Sequence, residues 1–156
     1  MLTAAIAAPP RVLVPCDVTA VKDGDTIEAT IRLPYPPGLV LENQDVRLQG
    51  FDAWESSKRR KAVNVTDTEV RKGKVAAAAL AKLVIDSEAA YLAPVETPQF
   101  SYGRQEGFLY LYDAETDTLT DVAAWMAEQG HCRPAAVGAA QPDDNWRDDV
   151  IIPAGD

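Results

Sequence analysis

The sequence contains little cysteine and histidine. Its two cysteines are Cys16 and Cys132, and its single histidine is His131. Two cysteines so far apart do not form a disulfide framework, and they lack the spacing of a metal site. We expect two free, packed thiols, with one Cys16–Cys132 bridge as the alternative. His131 follows a predicted helix end, where a histidine typically interacts with the last carbonyls, so we expect no catalytic role for it.

Positive charge is also scarce. The 15 lysines and arginines are outnumbered by 24 aspartates and glutamates, which leaves a formal net charge of −9. A protein that binds polyanions over its whole surface normally has the opposite balance. Any nucleic-acid site must therefore be a local positive patch. The basic run at 58–61 is either part of such a patch or an ordinary solvated loop.

Long apolar runs are missing as well. No stretch of the sequence is long and apolar enough to span a membrane, and residues 1–10 lack the basic start of a signal peptide. We expect a soluble protein, either cytoplasmic or part of a larger particle. The 156 residues, 47% of them hydrophobic, suffice for one domain with its own core.

Five segments of the sequence have strand-like patterns. Apolar and polar residues alternate across 26–33, which is the period of a half-buried strand. The proline-rich segment 34–38 reads as a rigid turn before the next strand. The predicted strands are 11–21, 26–33, 39–48, 89–95 and 107–112.

Two helices complete the predicted secondary structure. Thr66 and Glu69 form a capping-box pattern before a helix that runs to Asp86, in which Lys72 is expected to be a polar interruption. A second helix is predicted to begin at Thr120 or Asp121 and to stop at Gly130. The side chains expected to face the core are Ala76, Ala79, Leu80, Leu83 and Val84 on the first helix, and Val122, Trp125 and Met126 on the second. The element order β-β-β-α-β-β-α by itself indicates an α+β protein.

Acidic residues collect at the ends of two neighbouring predicted strands. Asp25 starts the strand at 26–33, while Asp52 and Glu55 follow the strand at 39–48, which also carries Arg47. Taken singly, such residues usually belong to turns and caps. Together they would place three carboxylates and one guanidinium on one rim of a sheet, which favours a functional site.

The ordered set of motifs resembles the staphylococcal nuclease family over about residues 17–133. The motifs are Asp23-Gly24-Asp25-Thr26, Arg47-Leu48, Asp52-Ala53-Trp54-Glu55 and Tyr102-Gly103-Arg104. The resemblance implies a mainly β, α+β fold: a five-stranded OB-fold-like barrel with two helices appended. It divides the chain into an N-terminal extended arm at 1–16, a nuclease-like domain at 17–133 and a turn-rich tail at 134–156. The family's C-terminal helix is expected to be missing from that tail.

The same resemblance implies a metal-dependent nuclease acting on DNA, RNA or both. Asp25 and Asp52 would supply oxygen ligands suited to Ca²⁺, and the Ala53 carbonyl would be the third protein ligand. Glu55 would be the general base. Arg47 and Arg104 would stabilise charge on the phosphate, and Tyr102 would bind a terminal phosphate. The family products would be a 5′-hydroxyl and a 3′-phosphate.

Two functions other than hydrolysis are compatible with such a barrel: an assembly module and a single-strand binder. A nuclease-like barrel with little or no activity could serve as a structural or assembly module whose partner holds the two terminal arms. An OB-type single-strand binder would prefer a basic groove with aromatic residues, which this sequence lacks. Trp54 stands where the family has proline, and its ring is expected either to stack on a base or to pack on Phe51 and the loop.

Overall fold

A computed structural model describes residues 12–34, 38–57, 65–95 and 104–134 of the chain. Within these ranges the chain is mostly strand, with two helices. The predicted terminal arm and tail, the basic run at 58–61 and Tyr102 lie outside the described residues. The elements are β1 (Val14–Asp23), β2 (Thr26–Leu33), β3 (Leu39–Leu48), β4 (Phe51–Ala53), α1 (Asp67–Asp86), β5 (Ala89–Pro94), β6 (Gln105–Asp113), β7 (Thr118–Asp121), α2 (Val122–Glu128) and β8 (Cys132–Pro134).

Five of the strands close into a mixed β-barrel. β1 pairs antiparallel with β2 and β5, β2 pairs with β3, and β5 pairs with β6. A parallel pairing between β3 and β6 then closes the ring. The predicted OB-fold-like barrel with two helices is therefore confirmed. The predicted absence of a C-terminal helix concerns residues that the structure does not describe.

The alternation seen in the sequence explains which side chains fill the barrel. Ile27, Ala29 and Ile31 of β2 are buried, while the polar residues between them are less covered. The C-terminal end of β3, with Val46 and Leu48, and the middle of β6 contribute in the same way, because successive side chains of a strand point to opposite faces. The bounds of β2 and β3 are the predicted ones. The three short strands β4, β7 and β8 were not predicted.

Helix α1 begins where the capping pattern predicts. The Thr66 hydroxyl accepts a hydrogen bond from the Glu69 backbone N–H at 3.1 Å. Ala76 and Leu80 are buried, as predicted. The prediction that Lys72 is a polar interruption of the helix was wrong, because the residue is buried. Lys72 is 4% exposed, and its ammonium lies 4.5 Å from the centre of the Trp54 ring. An ammonium can be buried over an aromatic face because the ring's electrons attract it.

Helix α2 is also capped by a predicted residue. The Asp121 carboxylate accepts from the backbone N–H groups of Ala123 and Ala124. Val122 and Met126 are fully buried, in agreement with the prediction. Gly130 follows the helix with a positive φ of 74°, a conformation that glycine adopts without strain.

Both cysteines are free and buried in the structure, so the bridged alternative does not occur there. Burial raises the pKa of the Cys16 thiol to about 12, and burial together with the charges of Asp25 and Asp52 does the same for Cys132. A thiol with so high a pKa stays protonated at neutral pH and is a poor nucleophile. In the described part of the chain, neither helix is long and apolar enough to cross a membrane.

Candidate functional site

The β1–β2 turn and the β2–β3 pairing place Asp25 beside Arg47. Thr26, the first residue of β2, is paired with Arg47 of β3, and the Leu48 N–H donates to the Asp25 carbonyl at 2.8 Å. The turn is held by the Asp25 N–H, which donates to the Asp23 carboxylate at 3.1 Å. Gly24 is needed between them, because a Cβ there would lie 2.7 Å from the Cβ of Ala53.

Arg47 bridges the two aspartates of the site. Its Nη1 lies 2.7 Å from Oδ1 of Asp25, and its Nη2 lies 2.9 Å from Oδ1 of Asp52. The carboxyl groups of Asp25 and Asp52 are 5% and 7% exposed, whereas the Arg47 side chain is 19% exposed. The second oxygen of Asp25 accepts from the Ala53 N–H at 3.0 Å. Two of the three predicted carboxylates, those of Asp25 and Asp52, therefore meet at the Arg47 guanidinium.

The burial of Asp25 changes its acid–base behaviour. Burial raises the pKa of the Asp25 carboxyl to about 8; the Arg47 guanidinium opposes this rise, and the neighbouring Asp23 charge adds to it. A buried carboxylate is costly unless positive charge and hydrogen bonds stabilise it. A bound cation would add to the positive charge that Arg47 supplies.

A pocket with a volume of about 250 Å³ opens at this end of the barrel. Five predicted site residues line it: Asp25, Arg47, Ala53, Glu55 and Arg104. Arg104 reaches the pocket because it immediately precedes β6, whose parallel pairing places Glu106 beside Arg47. Asp52 contacts Arg47, which connects it to the pocket. The other lining residues are Asp23, Trp54 and Ser57.

The segment that carries Glu55 lies against helix α1. Trp54 is 2% exposed and packs beneath Lys72. Its ring belongs to the core, so it is packed rather than placed to stack on a base, and it lies against Lys72 of α1. The Glu55 N–H donates to Oε1 of Glu69 at 3.2 Å. Sequence reasoning missed this contact because the capping-box pattern already accounted for Glu69.

A hard cation would have few protein ligands at this site. The predicted ligands are carboxylate oxygens of Asp25 and Asp52, which pair with Arg47, and the carbonyl of Ala53, a residue that lines the pocket. Among the residues described, no group of three or more His, Cys, Asp or Glu side chains is placed to hold a metal. Ca²⁺ takes six to eight oxygens and accepts water, carbonyl and phosphate oxygens beside carboxylates. Arg47 would have to release one of its carboxylates to make room for the ion.

Comparison with known proteins found no protein-family model and no curated protein that matches the chain.

We expect Ca²⁺ to stabilise the fold, because it would offset the charge of Asp25 and Asp52 in the folded state alone. An ion present at about 100 times its Kd adds about 2.7 kcal/mol to the free energy of unfolding. Thermal melts with and without millimolar Ca²⁺ measure this as an increase in Tm. Asp25→Asn should abolish the increase, while Asp86→Asn, at the exposed end of α1, should preserve it. An equal increase in Asp25→Asn would contradict a metal site at Asp25.

Proposed function

We propose that the protein is a metal-dependent nuclease that hydrolyses phosphodiester bonds of DNA, RNA or both. The observation that supports this best is the meeting of Asp25, Arg47, Glu55 and Arg104 at one pocket on the rim of the barrel. Phosphodiester hydrolysis needs a base for water and positive charge for the phosphate oxygens. The pocket brings together groups of both kinds from four separate places in the sequence.

Glu55 is the proposed general base. It lies in the same pocket as both arginines, so a water bound there can be reached by its carboxylate while the phosphate contacts the guanidinium groups. Removal of the water proton as the oxygen attacks phosphorus is a step for which a carboxylate is suited. The structure offers no histidine or reactive thiol among the pocket-lining residues to take this role.

Arg47 and Arg104 are the proposed phosphate ligands. A guanidinium carries five N–H donors, and the two ion pairs of Arg47 use one each at Nη1 and Nη2. The two ion pairs also hold the planar guanidinium in one orientation, so the side chain loses less conformational entropy when it binds phosphate. Tyr102, which precedes Arg104 by two residues, is proposed to contact a terminal phosphate.

Asp25, Asp52 and the Ala53 carbonyl would hold the divalent ion, for which Ca²⁺ is proposed. When bound, that ion supplies electrostatic stabilisation of the phosphate oxygens. It would also add positive charge to a protein whose net charge of −9 opposes the approach of a polyanion. The proposed products are a 5′-hydroxyl and a 3′-phosphate.

The alternative function is an assembly module. It is favoured by the Arg47 bridge, which gives both buried aspartates a cationic partner from within the chain. A barrel of this kind would be stable without substrate chemistry. Its partner would be a protein that holds the two terminal arms.

Degradation of plasmid DNA and of RNA separates the two functions. We expect cleavage with Ca²⁺ or Mg²⁺, none with chelator, and a large loss of turnover in Arg104→Lys, which keeps the charge but not the planar fork. Arg71→Lys, on the exposed surface of α1, is the matched control and should cleave normally. Failure of the wild type to cleave any polynucleotide with any of these ions would refute the nuclease proposal and leave the module.

A further inference from the structure

The proposed base belongs to a segment without regular secondary structure. Residues 54–57 follow the short strand β4 and belong to no helix or strand. A general base must be aimed to within a fraction of an ångström to act efficiently. What holds the Glu55 backbone therefore matters for the proposed reaction.

One face of α1 contacts this segment at successive positions. Glu69, Lys72 and Gly73 are all buried, at the i, i+3 and i+4 spacing that places residues on one side of a helix. Glu69 accepts from the Glu55 N–H, and Lys72 lies over the Trp54 ring. A Cβ at Gly73 would lie 2.5 Å from the Glu55 carbonyl oxygen. The helix thus contacts both the N–H and the carbonyl oxygen of Glu55.

The burial of Glu69 needs an explanation beyond helix capping. In a complete capping box the glutamate side chain would reach back to the N–H of Thr66. Here the Glu69 carboxylate instead accepts from Glu55, and the residue is only 5% exposed. Burying a carboxylate is costly, so a glutamate serving only to favour the helix N-terminus would remain in water.

We propose that Glu69 is a positioning residue that fixes the backbone of Glu55 and thereby aims its carboxylate into the pocket. The inference rests on the proposed function, in which Glu55 is the base. Glu69 acts through the 3.2 Å hydrogen bond to the Glu55 N–H. Loss of this acceptor leaves the Glu55 carboxylate chemically intact but less well aimed.

Steady-state kinetics of five variants, one of them a double variant, tests this role. Glu69→Ala should lower kcat by up to about 10²-fold, the effect of a small misplacement of a reacting group, with KM little changed. Glu69→Gln keeps an oxygen that accepts from the Glu55 N–H and should restore most of the activity. Asp67→Ala removes an exposed acidic residue from the same helical turn and should match the wild type. In a Glu55→Gln background, Glu69→Ala should cause no further loss, because the two residues act as one unit.

Backbone amide exchange at Glu55, followed by NMR, tests the contact without any substrate. We expect Glu69→Ala to speed exchange of the Glu55 amide, whereas Asp67→Ala and Glu69→Gln leave it slow. Should Glu69→Ala not fold, Glu69→Met, which keeps the side-chain length without a comparable acceptor, replaces it in both measurements.

The outcomes distinguish this inference from the proposed function. Unchanged Glu55 exchange in the variant that lacks the acceptor would overturn the positioning role, whether or not the protein is a nuclease. An equal loss of kcat from Glu69→Ala in the wild-type and Glu55→Gln backgrounds would also overturn it. A wild type that cleaves nothing but shows the expected exchange pattern would refute the nuclease, while the contact between Glu69 and Glu55 would stand.

Discussion

Replacing Arg47 with alanine is expected to lower the free energy of unfolding by about 3–5 kcal/mol. The guanidinium is the cationic partner of both Asp25 and Asp52, and these carboxyl groups are almost fully buried. Removal of one partner from a buried ion pair leaves uncompensated charge in a medium that solvates it poorly. Urea unfolding of the wild type and of Arg47→Ala measures the difference.

Arg32→Ala is the matched control for this prediction. Arg32 also pairs with an aspartate at 2.6 Å, but its side chain and that of Asp17 are 56% and 60% exposed. An exposed pair contributes about 0–1 kcal/mol, so this variant should be nearly as stable as the wild type. Similar losses in the two variants would show that the Arg47 bridge is no stronger than a surface ion pair.

The cost of Arg47→Ala should depend on pH in a defined direction. Burial already raises the pKa of Asp25 to about 8 in the wild type, and without the opposing guanidinium the folded-state pKa should rise further. Well below pH 8, Asp25 is protonated in both folded proteins, so its part of the loss should be absent. That part should grow as the pH rises above 8, where Asp25 ionises beside Arg47 in the wild type but stays protonated in the variant. A loss that is constant from pH 6 to pH 9 would contradict this electrostatic contribution of Asp25.

Replacing Glu55 with glutamine is expected to lower kcat by about 10²–10⁴-fold, the range of a typical general base. Glutamine has nearly the same shape as glutamate, and the variant keeps the backbone N–H that donates a hydrogen bond to Glu69. The glutamine amide, however, cannot take a proton from water. Substrate binding should change little, because the interaction is made during the reaction. Single-turnover and binding measurements on one oligonucleotide separate the two quantities.

Glu115→Gln serves as the control for the loss of one carboxylate. Glu115 is exposed in the turn between β6 and β7, so its replacement should leave kcat unchanged. Equal activity in the wild type and in Glu55→Gln would mean that Glu55 is not the base, or that a contaminating nuclease cleaves the substrate. Purification of both proteins through the same steps, followed by the chelator test, separates these two causes.

Local signals in the sequence predicted two strands to the residue. The bounds of β2 and β3 follow the alternation of polar and apolar residues and the proline-rich segment between them. The caps at Thr66 and Asp121 were also predicted, because their hydrogen bonds reach only two or three residues along the chain. The short strands β4, β7 and β8 were not, since three or four residues carry too little pattern to indicate a strand.

The sequence by itself determined which chemical groups this protein has near the ends of its strands: the carboxylates of Asp25, Asp52 and Glu55, and Arg47. Only the tertiary structure decided how they meet. The parallel pairing of β3 with β6 places Arg104 in the pocket with Arg47, and Arg47 itself lies between two buried aspartates. The packing of α1 buries Lys72 over Trp54 and turns Glu69 toward Glu55. These contacts join residues far apart in the chain, so they depend on strand register and helix placement, which local periodicity does not encode.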